Sequence, residues 1–245
     1  MLSKRGRRVL AGKERALKGV LARRGVLLAS GLLDARVSRE VPALLQRAFA
    51  DVLEPFAIAA PPAETASVLT ALERLPIVGR GASLAFGPLV ESRGSVRAAE
   101  IGLTQLCASE SARRFAEVLA GAKLSGPTSM KVLAQRAGDY SGPSTGHLPE
   151  DASARLGYVE LELSFGTPGI SRQLLVHERD GHLQTPHAID WRGGVMAWRL
   201  PRWRYTTPLE TRRKSACRWQ VSHTYYYVPA EQVAPPVEPP PSMRN

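Results

Sequence analysis

Helical periodicity in the first half of the chain and strand alternation in the second predict an α+β protein. Its core is expected to be an antiparallel β-sandwich or jelly roll, with supporting helices ahead of it. Three stretches carry this expectation. VSREVPALLQRAFADVLEPF (37–56) lines up Leu44, Leu45, Phe49, Val52 and Leu53 as one apolar helical stripe. SESARRFAEVLAGAKL (109–124) does the same with Phe115, Val118 and Leu119. YVELELSF alternates strictly, with Val159, Leu161, Leu163 and Phe165 on one side of a strand and Glu160, Glu162 and Ser164 on the other.

The elements follow in order along the chain. Residues 1–36 read as a basic N-terminal extension, and residues 37–228 as a single domain with helices over 37–124 and a β core over 131–228. Ser38 is expected to open the first helix, with Pro42 early in it. A second helix is expected over 65–75, after the AAPPAE break. The third is capped by Ser109 or Ser111 and stops near Gly121. Strands are expected at 131–137, 157–165, 172–178, 193–200 and 217–228, each rich in β-branched or aromatic residues and bounded by Gly, Pro or Asp turns. The last stretch, 229–245, contains APPVEPPPSMRN, a Pro-rich tail expected to be disordered.

Composition narrows the function classes. With 245 residues, 44% hydrophobic and 22% charged, the chain can bury an ordinary soluble core. Its net charge of +11 is concentrated at one end: residues 1–36 hold ten basic residues against Glu14 and Asp34. Such a segment fits a nucleic-acid arm, a transit peptide or a solvated extension, and the last is the simplest reading. Cys107 and Cys217 fit no disulfide framework and no zinc spacing, so a reducing, cytoplasmic setting is expected. No apolar run approaches the ~18 residues of a membrane span. GVLLASGLL (25–33) lies too deep, and is followed by the wrong residues, for a signal segment.

The second half also carries a resemblance. The order GDYSGPSTG (138–146), RLGYVELELSF (155–165), RQLLVHERDGHLQ (172–184), RGGVMAWRLPRWRYTTPLETRRK (192–214) and RWQV (218–221) is similar to the double-stranded β-helix of Fe(II)/2-oxoglutarate-dependent oxygenases, in the prolyl-4-hydroxylase-like group. It covers roughly residues 110–225. In that family a His-x-Asp and a later His leave three positions of the iron open to 2-oxoglutarate and oxygen. The resemblance places those ligands on Ser144, Gly146 and Arg204, none of which suits a divalent cation. The family's cation for the far carboxylate of 2-oxoglutarate falls on Lys214, with Arg218 as a second candidate.

The expected function is therefore that of a degenerate oxygenase-like protein. It would have no metal and a binding, scaffold or regulatory role, beside an active homologous oxygenase or another protein partner. Two alternatives stand next to it. An active hydroxylase would need Fe(II) and 2-oxoglutarate on a relocated ligand set such as His147, Glu150 and His187. A nucleic-acid-binding protein would use the basic N-terminus, or the block in which Trp198, Trp203 and Tyr205 interleave with arginines, although packing is the simpler use of those rings. No Gly-x-Ser-x-Gly elbow, P-loop or GxGxxG cradle is present.

Overall fold

The computed structural model describes residues 1–59, 77–87, 90–142, 157–179, 181–200 and 202–228. The expected helix at 65–75 and the Pro-rich tail at 229–245 lie outside the described residues. The chain runs through α1 (Lys4–Leu10), α2 (Val20–Arg24), β1 (Val26–Ala29), α3 (Ala35–Phe49), β2 (Glu54–Ala59), β3 (Ile77–Phe86), α4 (Arg93–Glu100), α5 (Leu103–Ala108) and α6 (Glu110–Ala120). The β-rich half follows with β4 (Leu124–Arg136), β5 (Tyr158–Gly166), β6 (Ile170–Arg172), β7 (Leu174–Arg179), β8 (His182–Leu183), β9 (His187–Ala188), β10 (Arg192–Leu200), β11 (Arg204–Thr206), β12 (Glu210–Thr211) and β13 (Cys217–Tyr227).

The larger sheet is antiparallel, with strand order β1-β10-β5-β13-β4-β3-β2. A smaller sheet, β11-β7-β8 with β9 also on β7, and the ribbon β12-β6 complete the jelly roll. Helices back the larger sheet. Phe49, Phe115 and Leu119 meet Val159, Leu161, Phe165, Trp219 and Val221 in one core. A second cluster, Tyr158, Leu175, Ile189, Met196, Trp198 and Leu200, joins strands of the two sheets. Burying β5 on both sides explains its composition: one row of alternating residues fills the helix-side core, and the other must face the interior between the sheets.

Several expectations need correction. The first long helix begins at Ala35, because the Asp34 carboxylate accepts from the backbone N–H groups of Arg36 and Val37. Ser38 lies inside the helix and donates to the Asp34 carbonyl. The helix ends at Phe49, so Glu54 and Phe56, expected to be helical, form β2 instead. β1, β2 and β3 were not expected as strands, and the apolar GVLLASGLL stretch supplies the edge strand β1 on β10.

The N-terminal residues, expected to be a solvated extension, are part of the packed domain. Val9, Leu17, Val20 and Leu21 are all buried. Ser3 caps α1 and donates to the Gly31 carbonyl, the Ser3 N–H donates to Leu32, and the Asp34 N–H donates to Met1. Two glycines make the docking possible. A side chain at Gly6 would run into the Leu32 carbonyl at 2.1 Å, and one at Gly121 would come within 2.9 Å of the Gly19 Cα. Cations on the outside hid the apolar residues on the inside.

His223 on β13 is 2% exposed, and neither ring nitrogen has a hydrogen-bond partner among the described residues. Alternation along β13 sends it toward the helix-side core, where its ring meets Tyr225 edge-on at 5.2 Å. Burial pushes its pKa down from 6.5 to about 4. The folded state thus binds fewer protons than the unfolded chain between those values. The stability is complete above pH 6.5 and falls as pH drops toward 4, by roughly 3 kcal/mol in all. His223→Leu is expected to remove this acid sensitivity and to raise the melting temperature at neutral pH, since it deletes two unpartnered buried nitrogens. Thermal melts of both proteins across this pH range check it; an unchanged pH slope in the variant would assign the effect elsewhere.

Candidate functional site

A cavity of about 210 Å³ opens between the two sheets. Its walls come mainly from β4, β5, β10, β11 and β13, with Phe56 of β2, Gly79 of β3 and Leu175 of β7, so it lies on the sheet face opposite the helices. β5 contributes Glu160 and Glu162, and β13 contributes Arg218, Gln220 and Ser222. Each of these is one place out of phase with the apolar row that fills the other core, which is why polar residues converge here.

At the centre is Arg204 of β11. Its guanidinium bonds to Glu160 through Nη2, and its Nη1 lies 2.9 Å from Glu162 Oε1. The Nη1 contact has the distance of an ion pair without the alignment of a hydrogen bond, so this buried nitrogen has no hydrogen-bond partner among the described residues. The guanidinium also stacks over the Trp198 ring, 4.6 Å from its centroid. Side-chain exposures of 15%, 16% and 5% for Arg204, Glu160 and Glu162 take all three largely out of water. Burial pushes the Glu162 carboxyl up, with Arg204 opposing and Glu160 adding to the rise. The Trp198 indole N–H is near enough to favour the ionised form of Glu162 but is not aligned for a hydrogen bond.

Arg218 is held differently. It is 1% exposed, and its bonded partners are neutral oxygens: Ser164 Oγ at 2.9 Å, Gln135 Oε1 at 2.8 Å, Gln173 Oε1 at 3.2 Å and Gln220 Oε1 at 2.9 Å. These contacts engage four of its five N–H groups and leave one Nη2 hydrogen without a bond among the described residues. Burial pulls its pKa down to about 10, with Glu162 opposing, so it stays charged at neutral pH. Gln173 also donates to Gln135, Thr206 and the Thr207 carbonyl, tying β4 and β13 to β11 across the cavity. Lys131, on β4, reaches the cavity wall with its ammonium 5.7 Å from the Phe56 ring centroid. Two buried arginines and the exposed Lys131 therefore face two carboxylates.

The expected site residues fall into three groups. Arg204 and Arg218 both line the cavity. Lys214 is in the exposed turn between β12 and β13 and does not line it, because residues 212–215 lengthen that connection before the strand resumes. Ser144 and Gly146 lie outside the described residues, as do His147 and Glu150. His187 sits on β9 at a separate depression, exposed and stacked on His177 at 5.7 Å. Glu160 and Glu162 were missed as site residues. Their signal was present in the strict alternation of β5: in a sandwich covered on both sides, the acidic row must line an interior. Cys107 and Cys217 are buried free thiols, pushed up to about 12 and about 11 by burial, and neither is poised as a nucleophile.

The residues present fit unequally the two cofactors that the sequence resemblance implies. Among the described residues no group of three His, Cys, Asp or Glu side chains is placed to hold a metal. The cavity's two carboxylates are already engaged by a guanidinium, so this donor set does not fit Fe(II). Arg218, on the cavity wall, is the cation that a carboxylate ligand would meet, with one N–H unengaged among the described residues and another bonded to Gln220.

Two antiparallel sheets around a polar interior, with helices backing the larger one, define a double-stranded β-helix protein. The chain has the fold of the 2-oxoglutarate–Fe(II) oxygenases. A prolyl-4-hydroxylase from Pseudomonas putida is 15% identical, with TM-score 0.51 over 87% of this chain and 98% of that one. A prolyl hydroxylase from Trichoplax adhaerens, solved with a hypoxia inducible factor peptide, is 13% identical, with TM-score 0.56 over 91% of each chain. An oxidoreductase of the 2OG-Fe(II) oxygenase family from Burkholderia pseudomallei is 13% identical, with TM-score 0.55 over 89% of this chain and 90% of that one. At such identities the likeness shows the fold. No protein-family model and no curated protein matches the sequence. Among the described residues no helix is long and apolar enough to cross a membrane.

Proposed function

We propose that this protein is a binding member of the oxygenase fold, in which an internal guanidinium has taken over the cation's seat and the cavity holds a small carboxylate ligand without oxidising it. The observation that carries the reading is Arg204 placed between Glu160 and Glu162. A fixed positive charge there engages both carboxylates and opposes a divalent ion beside it. Arg218 supports the second half of the reading, because a buried cation with an unengaged N–H is suited to a carboxylate such as that of 2-oxoglutarate. A regulatory or scaffold role beside an active homologous oxygenase is the use we assign to such a domain.

The test is metal analysis of anaerobically prepared protein, together with 2-oxoglutarate turnover in the presence of Fe(II). The expected result is no stoichiometric iron and no succinate. Calorimetric titration with 2-oxoglutarate in a chelator is expected to show metal-independent binding. Stoichiometric iron or succinate release would instead establish the active-hydroxylase reading, and His147→Ala would then test the relocated ligand set.

A further inference from the structure

The first 24 residues carry nine basic side chains against the single acid Glu14, so they hold eight of the chain's eleven net positive charges. The fold makes this segment a surface of fixed shape. α1 and α2 both pack on α6, and Gly19 donates its N–H to the Val118 carbonyl. The apolar residues Val9, Leu17, Val20 and Leu21 are turned inward, which leaves the cations outside. Three of the arginines are anchored through backbone carbonyls: Arg5 on Ser30, Arg7 on Leu2, and Arg23 on Lys18 and Ala16. Arg8 is paired with Glu14 at 3.1 Å. Lys4, Lys13, Arg15, Lys18 and Arg24 are exposed.

We propose that the α1–α2 surface binds the phosphodiester backbone of duplex nucleic acid, independently of base sequence. Its chemistry selects among polyanions. Single-stranded nucleic acid is held largely by stacking on aromatic rings, and residues 1–36 contain no Phe, Trp or Tyr. An anionic membrane is bound by helices that turn Trp, Phe or Leu outward into the lipid boundary, whereas this segment buries Val9, Leu17, Val20 and Leu21 and exposes only Met1 among its large apolar residues. A preordered array of cations with no apolar anchor matches a regular phosphate lattice, where attraction comes from counterion release.

Truncation would not test this, because removing the segment strips four buried aliphatic residues from the core. The test uses the full chain with Lys13→Glu, Arg15→Glu, Lys18→Glu and Arg24→Glu combined, and a control bearing Arg172→Glu and Arg192→Glu, which are exposed cations outside this segment. Circular dichroism establishes that each protein remains folded. Fluorescence anisotropy with a short labelled DNA duplex of mixed sequence is expected to show wild-type binding that weakens steeply with salt. The fourfold variant should lose at least about a hundredfold in affinity, with a shallower salt slope by about 0.9 for each phosphate contact removed. The control should bind nearly as wild type. The proposal is overturned if wild type shows no salt-dependent duplex binding, or if the control loses as much as the variant. Preference for an unstructured single strand, or for phosphatidylserine vesicles over the duplex, would also overturn it.

Discussion

Arg204→Leu is expected to destabilise the folded protein by about 3–5 kcal/mol, the usual range when one partner of a buried ion pair is removed. The loss should come from what is left behind. Glu160 and Glu162 would share the cavity with no cation between them, and Trp198 would lose the guanidinium stacked on its ring. Two like charges at low dielectric raise each other's pKa, so at least one carboxyl should bind a proton on folding. The sign of the pH response follows. A carboxyl whose folded pKa lies above its unfolded value contributes stability at low pH and loses it as pH rises through the folded pKa. Arg204→Leu should therefore recover stability on acidification. Adding Glu160→Gln and Glu162→Gln should restore most of the loss at neutral pH. Chemical denaturation of wild type, Arg204→Leu and the variant that adds both glutamines, at two pH values, checks this. A single variant with near wild-type stability, or one insensitive to the glutamine substitutions, would show that the triad carries little electrostatic weight.

Arg218→Leu is expected to cost a similar amount for a different reason. Its partners are neutral, so the loss comes from oxygens left without donors. Ser164, Gln135, Gln173 and Gln220 each lose a bond at once, and a buried polar group left unsatisfied costs about 1–3 kcal/mol. Some of the amides can repartner, so about 3–5 kcal/mol is expected rather than the full sum. Arg218→Lys separates structure from binding, because an ammonium keeps the charge but has only three donors. It should fold with a smaller penalty and bind 2-oxoglutarate at least about tenfold more weakly, matching the loss of one charge-assisted hydrogen bond. Calorimetry on folded Arg218→Lys reads the second effect and denaturation reads the first. Unchanged affinity in that variant would remove Arg218 from the ligand site.

Much of the fold could be read from periodicity, and its failures have identifiable causes. The strand β5 was unambiguous because both of its faces are buried by different chemistry, apolar on the helix side and polar on the cavity side. The helix α6 was clear because Ser109 caps it and Gly121 ends it in a left-handed conformation. β2 was hidden because Val52 and Leu53 continue the helical stripe past Phe49. The basic N-terminus was misread because composition counts charges without saying which way the intervening Val9, Leu17, Val20 and Leu21 point.

The site shows the same division. The sequence by itself determined that Arg204 and Arg218 are guanidinium groups, with Arg218 on an expected strand, and that Glu160 and Glu162 share one side of β5. These are properties of residue identity and of a period of two, both local. Tertiary structure alone decided that Arg204 meets both carboxylates, and that Arg218 is surrounded by neutral oxygens. Their partners are 42 to 83 residues away in the chain, apart from Gln220. Local spacing cannot place such groups together. Only the closure of two sheets over one interior fixes which charges must neutralise each other.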